Sequence, residues 1–429
     1  MKTIVALATP QGRGGVAIVR ISGVDAHLHL DKIFETKYNQ VYRKLYHGKV
    51  VCKDFCDSAM AVKFVAPYSY TGENVAEIHC HGSPIVTTGI LQQLIDNGCF
   101  VAEKGEFTKR ALLNGKLDLL QAEGVLGIIN ADTTAQVVQS NLLLDGALSI
   151  KIDALQTRLL DCIASIEVAL DYPEEGLELD TVAQLQDKLT SIQTDIYNML
   201  ADYKRARLIK DGVKVVLLGK PNVGKSSLLN ALVGYERAIV DSVEGTTRDV
   251  VEDSFAYNGV KFLVYDTAGV RDTDNLVEQQ GVQRTHIQAK DGDILVCFDE
   301  YMANDIRSVL VSNKCDLNKN IQKKDIENSD RLFISAKNGI NIDKLKSILY
   351  NKSIHSTPNH AVINTIRHYN SLRQAYDSIE LALSSLHSVT LDCIAIDVRQ
   401  AWESVKSLTG QAITDDILET IFSQFCVGK

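Results

Sequence analysis

The run Gly219-Lys220-Pro221-Asn222-Val223-Gly224-Lys225-Ser226 constrains this chain more than any other. An apolar stretch from Lys214 to Leu218 leads into it, and a helix-forming one from Ser227 to Leu232 follows. Strand, glycine-rich loop and helix in that order make a phosphate cradle, because the glycines let backbone N–H groups wrap the phosphates at a helix N-terminus. In such a cradle Lys225 bridges the terminal phosphates and the Ser226 hydroxyl ligates Mg²⁺.

An ordered series behind that loop removes accident as an explanation, since each member ends an apolar run where a strand would feed a phosphate-binding rim. Phe262 to Tyr265 leads into Asp266-Thr267-Ala268-Gly269, whose acid suits the magnesium water shell and whose glycine N–H can sense a γ-phosphate. Val309 to Ser312 leads into Asn313-Lys314-Cys315-Asp316. There a carboxylate can accept both N–H donors of guanine, whereas adenine would leave it unpaired, so the nucleotide expected is GTP and not ATP. Leu332 to Ile334 leads into Ser335-Ala336-Lys337, expected to buttress the base. Between the first two motifs, Gly245-Thr246-Thr247-Arg248-Asp249 sits where a switch loop would bring a Thr hydroxyl to Mg²⁺. The set reads as a Ras-like G domain.

One position departs from that template. Val270 follows Gly269 where Ras carries the water-orienting glutamine, and valine cannot orient water. The acids just downstream, Asp272, Asp274 and Glu278, are the nearest replacements in sequence, and Arg248 and Arg271 are candidate internal arginine fingers.

At 429 residues the chain is too long for one core. The first hundred or so residues alternate short β-rich runs (from Ile4 to Ala8, Val16 to Ile21, Ala59 to Phe64 and Val75 to Cys80) with Gly and Pro, which predicts an α+β domain. Val182, Leu185, Leu189, Ile192, Ile196, Met199 and Tyr203 then form one stripe at steps of three and four, predicting a long helix capped by Asp180 and Thr181 and stopped at Asp211-Gly212. Two further stripes follow, one through Ile366, Tyr369, Leu372, Tyr376, Ile379, Leu383 and Leu386, the other through Ile394, Val398, Ala401, Val405 and Leu408. Helices on both sides of the G motifs predict one helical bundle interrupted by the G domain. The expected division is 1–117, 118–211, 212–352 (the G domain) and 353–429, the second and last segments sharing the bundle.

Composition excludes several classes. A net charge of −9 disfavours unspecific nucleic-acid binding, which needs clustered cations. No apolar run approaches the ~18 residues of a membrane span, so a cytoplasmic protein is expected. The nine scattered cysteines suggest no disulfide framework, and neither Cys52-x-x-x-Cys56 nor His79-Cys80-His81 makes a tetrahedral metal site by itself.

Further motifs lie outside the G region: Thr9-Pro10-Gln11-Gly12-Arg13-Gly14-Gly15 with Arg20-Ile21-Ser22-Gly23, Tyr70-Thr71-Gly72-Glu73-Asn74, Glu77 with His79-Cys80-His81-Gly82, and Gly105-Glu106-Phe107-Thr108. Asn114-Gly115-Lys116-Leu117-Asp118-Leu119, Asp171-Tyr172-Pro173-Glu174-Glu175 and Phe425-Cys426-Val427-Gly428-Lys429 complete the set. On these the chain resembles, over essentially its whole length, the MnmE (TrmE) family of tRNA-modification GTPases. The resemblance implies a multidomain α/β and α fold: an N-terminal α+β folate-binding-like and dimerisation domain, a central helical bundle, and an inserted Ras-like P-loop G domain. It implies a homodimer that works with a flavin-dependent MnmG-type partner in a heterotetramer. That assembly would place a carboxymethylaminomethyl or aminomethyl group on C5 of the wobble uridine of certain tRNAs, using a one-carbon unit from a tetrahydrofolate derivative (the 5-formyl or 5,10-methylene form).

By position, the resemblance assigns folate contacts to Arg20, Glu77, Lys116 and Lys429, which suits a ligand with a glutamate tail and a pterin edge. It assigns GTP contacts to Asn222, Val223, Gly224, Lys225, Ser226 and Ser227, to Asp241, Ser242, Val243, Glu244, Gly245, Thr246 and Thr247, and to Asp266, Thr267, Ala268 and Gly269. Asn313, Lys314, Asp316, Ser335, Ala336 and Lys337 complete that set. Mg²⁺ falls to Ser226 and Thr247, and K⁺, in the arginine-finger role, to Asn222, Asp241, Val243 and Thr246. The catalytic glutamate falls at Glu278, filling the gap left by Val270; Cys426 is a candidate for chemistry or for packing.

The chain also departs from the family. Only Asp299 and the run 300–308 separate the expected strand ending at Phe298 from the one starting at Val309, while a parallel crossover normally takes about a dozen residues. A G-domain helix is expected to be missing or reduced to a turn. Two other readings remain at this stage: a ribosome-assembly GTPase, for which no basic module is visible, and a GTP-binding scaffold without turnover.

Overall fold

The computed structural model describes residues 2–38, 41–171, 177–234, 253–266, 292–300, 305–317, 331–353, 358, 360–410 and 415–429. The chain forms two compact units, Met1–Leu126 together with Lys406–Lys429, and Gly127–Val405. The last residues, placed by sequence with the bundle segment 353–429, thus pack in the first unit.

The first unit is built on a seven-stranded sheet of β1 (Ile4–Leu7), β2 (Gly14–Ser22), β3 (Phe34–Glu35), β4 (Tyr46–Val51), β5 (Cys56–Phe64), β6 (Val75–Gly82) and β7 (Phe100–Val101), in the order β3-β4-β5-β6-β2-β1-β7. Strand alternation sorts its side chains. Along β6, Ala76, Ile78 and Cys80 are buried with Val5, Val19, Ile21, Ile90 and Leu94 in one core. Glu77, His79 and His81 take the opposite face. Helices α1 (Ala26–Asp31) and α2 (Pro84–Asp96) supply Leu30, Ile90 and Leu94 to that core. Helix α3 (Glu106–Leu113) contributes Phe107 to a second cluster with Ile4, Ala6, Ala102 and Tyr70, and α4 spans Leu119–Ile129.

In the second unit the helices are α5 (Thr134–Leu144), α6 (Ala147–Asp171) and α7 (Leu177–Asp211). The α7 stripe lies where its periodicity put it: Leu185, Leu189, Ile192 and Ile196 are fully buried. Truncating such a residue, Leu189→Ala for one, costs about 2–5 kcal/mol. The helix starts earlier than expected, at Leu177, so Asp180 and Thr181 lie within it and do not cap it. α10 (Ile366–Ser385) packs along α7, with Tyr369 against Tyr203 at 4.7 Å and Tyr376 against Tyr197 at 6.4 Å between ring centres. Helices from before and after the G motifs therefore share one packing interface. α11 (Leu391–Lys406) buries Ile394, Val398, Ala401 and Val405, as its stripe predicts, whereas α12 (Asp415–Phe422) belongs to the first unit.

Between α7 and α10 in sequence lies a six-stranded sheet of β8 (Val213–Leu218), β9 (Asp253–Tyr257), β10 (Val260–Asp266), β11 (Ile294–Cys297), β12 (Ser308–Ser312) and β13 (Arg331–Phe333), ordered β13-β12-β11-β8-β10-β9. All pairings are parallel except β10 with β9. Its central strands β8 and β11 read as near-continuous apolar runs because both faces are buried. Helices α8 (Lys225–Val233) and α9 (Ile342–Ser353) pack on it through Leu228, Leu232, Leu345 and Leu349.

Candidate functional site

The carboxyl ends of β8, β10, β12 and β13 carry the sequence motifs to one rim, as parallel α/β sheets require of a ligand crevice. At the end of β8 the chain turns through Asn222 at φ 63° and Gly224 at φ 97°, and Lys225 opens α8. A left-handed Gly224 aims the following backbone N–H groups into the loop, and it also admits a neighbour: a Cβ there would lie 2.3 Å from the Asn313 amide nitrogen. Lys225 is buried, its ammonium donating to the carbonyls of Gly219 at 2.7 Å and Lys220 at 3.4 Å. The Ser226 hydroxyl donates to the Asp266 carboxylate at 3.2 Å. A hydroxyl and a carboxylate this close, on a rim with a buried ammonium, are the oxygen donors that a magnesium ion takes.

Asn313 joins the three loops. Its amide nitrogen donates to the carbonyls of Val223 and Gly224 at 3.3 and 3.4 Å, while its oxygen accepts from the N–H groups of Lys314 at 2.8 Å and Ala336 at 3.0 Å. The neighbouring Lys314, at φ 63°, donates through Nζ to the Asn222 carbonyl at 3.0 Å. Asp316 is exposed in a single 3-10 turn, Cys315–Leu317. Beside it Ser335 is fully buried and pairs with Ile340 through two backbone hydrogen bonds of 3.1 Å, leaving Lys337 exposed. Ser227 lies exposed in the first turn of α8, beside the loop. The expected switch residues Asp241, Ser242, Val243, Glu244, Gly245, Thr246 and Thr247, the run Thr267, Ala268 and Gly269, and Glu278, with Val270, Asp272, Asp274, Arg248 and Arg271, lie outside the described residues.

A second cluster occupies the first unit. Arg20 on β2 stands opposite Glu77 on β6, and its Nε donates to Glu77 Oε1 at 2.8 Å. The guanidinium also reaches the Gly428 carbonyl at 3.4 Å and lies 5.6 and 5.8 Å from the ring centres of Tyr70 and Phe107. Burial works against the Glu77 charge, but the His79 hydrogen bond and the Arg20 guanidinium outweigh it and hold the carboxyl below the usual range. Burial and the repulsion of Arg20 pull the Lys429 ammonium below the ordinary lysine value, with Glu77 opposing. Residue Lys429 is held by the chain itself, its carbonyl accepting from Phe107 N–H at 3.2 Å. Of the four positions expected to contact a folate, Arg20, Glu77 and Lys429 thus share one field. The fourth, Lys116, is exposed and packs against the Gly72 turn. Cys426 is exposed.

The residues that shape this cluster carried no assigned role above; all but Arg110 are in the motifs quoted there. Buried Arg110 donates to both oxygens of Glu73 at 3.2 and 3.0 Å and to Glu106 at 2.7 Å. Ser22 bonds Thr71 and Glu73, each at 2.7 Å, and Tyr70 bonds Thr108 at 2.8 Å. Together they fix the turn that presents Tyr70 to Arg20. His79 pairs with Glu77 and His81 with Asp57, while Cys80 faces the core.

The family model described as "MnmE helical domain" matches residues 119–426, and "GTP-binding protein TrmE N-terminus" matches residues 3–116. The tRNA modification GTPase MnmE of Natranaerobius thermophilus is 38% identical over 458 residues, covering 100% of this chain and 99% of the relative. That of Clostridioides difficile is 37% identical over 459 residues, with the same coverage. Among solved structures, the FeoB G domain from Methanococcus jannaschii aligns with 33% of this chain and 97% of its own at 26% identity, with a TM-score of 0.24, too low for an argument from shape.

Proposed function

This chain belongs to the MnmE (TrmE) family of tRNA-modification GTPases, and on that premise we propose that it modifies C5 of the wobble uridine of certain tRNAs with a flavin-dependent partner and a tetrahydrofolate one-carbon unit. It is a GTP hydrolase of tRNA modification. The observation that carries the fuller reading is the pairing of two sites in one chain: a phosphate loop tied through Asn313 to a guanine loop, and a separate Arg20–Glu77–Lys429 cluster.

The nucleotide rim supports the proposed roles at its own atoms. Lys225 is already turned into the loop, so phosphate oxygens would replace the carbonyls it now holds. Ser226, with Thr247 from the switch, would ligate Mg²⁺, which supplies charge neutralisation at the phosphates when bound. Asp316 stands exposed at the rim, free to accept guanine's two donors. For the folate, Arg20 and Lys429 offer cations to carboxylates, and Glu77, held ionised, offers an acceptor for pterin N–H groups. The homodimer, the flavin-dependent partner and tRNA binding rest on family membership. No described helix is long and apolar enough to cross a membrane.

K⁺ at Asn222, Asp241, Val243 and Thr246, and Glu278 as the group that orients water, complete the proposal. Turnover measured in K⁺ and in Na⁺ tests it. Both Na⁺ substitution and Glu278→Ala should lower kcat about 10²–10³-fold with GTP affinity nearly unchanged, the scale of one preorganised catalytic group. Equal turnover in both salts with collapse in Arg248→Ala would replace the potassium site by an arginine finger.

A further inference from the structure

The connection between β11 and β12 covers only residues 298–307, yet the two strands pair in parallel, Leu295 opposite Ser308 and Cys297 opposite Leu310. A crossover helix packed on the sheet ordinarily decides where the next strand enters, and about a dozen residues are needed for it. Here the ladder is short on both sides of β12, with three paired positions to β11 and three to β13. A slip of one residue would send every β12 side chain, and the Asn313 that follows, to the wrong face. Ladders this short leave the entry to contacts at the start of β12.

Charged groups gather at that point. The Arg307 guanidinium donates to the buried Gly292 carbonyl at 2.6 Å, two residues before β11, and to both Asp305 oxygens at 2.6 to 3.1 Å. The Arg307 carbonyl accepts from Leu295 N–H at 3.1 Å, and Ser308 N–H bonds the Asp305 carbonyl at 2.9 Å. Lys352 on α9 donates to the Ser308 carbonyl at 2.8 Å. Asp293, next to Gly292, holds Lys214 N–H at the start of β8. The half-buried Asp305–Arg307 pair, two residues apart in sequence, alone would contribute little. A charge-assisted bond to a buried backbone carbonyl is the stronger part.

We propose that Arg307 is a positioning residue for guanine recognition: bonded to the Gly292 carbonyl and to Asp305, it fixes the entry of β12, and so holds Asn313 and Asp316 against the phosphate loop. Five strand residues separate it from Asn313, six steps or about 20 Å at ~3.3 Å per residue, so it touches no nucleotide. Asp305 agrees with this: hydrogen bonds from Arg307 pull its carboxyl down to about 2.

The inference rests on Asp316 as the guanine reader and on nothing about tRNA. Its test compares affinities for GTP and inosine triphosphate, which lacks guanine's 2-amino donor, in the full chain. Wild type should prefer GTP. In Arg307→Ala that preference should fall about tenfold, the worth of one charge-assisted hydrogen bond, and Arg307→Lys, able to reach Gly292 but not to fork, should lie between. A merely structural residue would lower the folded fraction and both affinities together, leaving the ratio unchanged. An unchanged ratio in Arg307→Ala, with wild type discriminating, overturns the proposal; equal binding by wild type overturns the Asp316 assignment and the proposal with it. Should Arg307→Ala not fold, the ratio is read on Asp305→Asn, where a smaller fall is expected and no fall overturns it.

Discussion

Gly224→Ala and Asn313→Ala should be strongly non-additive, because the first change harms the site mainly through the second residue. An alanine at φ 97° carries a left-handed strain of about 1 kcal/mol. Its Cβ would also stand 2.3 Å from the Asn313 amide nitrogen, which must leave. Asn313 would then lose the bonds that its oxygen accepts from Lys314 and Ala336, worth about 1 kcal/mol each, while its two donor contacts at 3.3 and 3.4 Å are long enough to matter little. Gly224→Ala should thus cost about 3 kcal/mol, some two orders of magnitude in nucleotide affinity at about 1.4 kcal/mol per decade. Asn313→Ala alone should cost about 2 kcal/mol. Independent effects would sum to about 5 kcal/mol, but the Asn313 bonds are lost only once, so the double variant should cost about 3 and the coupling should be about 2 kcal/mol. Titration of a fluorescent GDP analogue, with thermal unfolding as a control for folding, reads all four proteins. A double variant as weak as the sum would show that the Gly224–Asn313 contact does not organise the loop.

Alkylation at pH 8 followed by mass analysis should label Cys56, Cys393 and Cys426, which are exposed, and spare Cys80 and Cys99, whose thiols burial pushes up to about 11; rapid labelling of the buried pair in the folded protein would contradict their placement. Glu77 titrates below the ordinary glutamate value when folded, so its contribution to stability is present above that value and lost as pH falls through the depressed one. Glu77→Gln should therefore flatten the acid limb of the stability profile, and an unchanged limb would deny the coupling to Arg20 and His79. Calorimetry with 5-formyltetrahydrofolate should give heat with wild type and much less with Arg20→Ala, with GTP binding equal in both; no heat from wild type would end the folate assignment.

The strands of the candidate nucleotide site were legible because the signal is local in sequence: each motif follows the strand that carries it, and β8, β10, β11, β12 and β13 lie within a residue or two of their apolar runs. The α7 stripe was legible for the same reason, being a single face of one helix. The start of α7 was not, since Asp180 and Thr181 have capping chemistry that the longer helix overrides. β4 escaped because Gly48 reads as a turn; the strand needs a glycine there, as a Cβ would meet the Glu35 carbonyl at 2.3 Å. Glu73 and Glu106 were visible as motif members and Arg110 was not, and Glu73 and Arg110 meet across a long sequence separation that no periodicity records. Asn313 was assigned to the nucleotide, and its bonds to Val223, Gly224 and Ala336 add a structural role of the same kind. The packing of 406–429 in the first unit is likewise a long-range fact, carried by contacts such as Arg20 with the Gly428 carbonyl.

The central claim is that GTP turnover at this rim drives modification of the wobble uridine, and mass analysis of tRNA nucleosides from cells lacking the gene tests it most directly. The account predicts loss of the C5-modified wobble uridine, restored by the wild-type gene and not by Asp316→Asn or Glu278→Ala. An unchanged nucleoside profile in the deletion strain would contradict it.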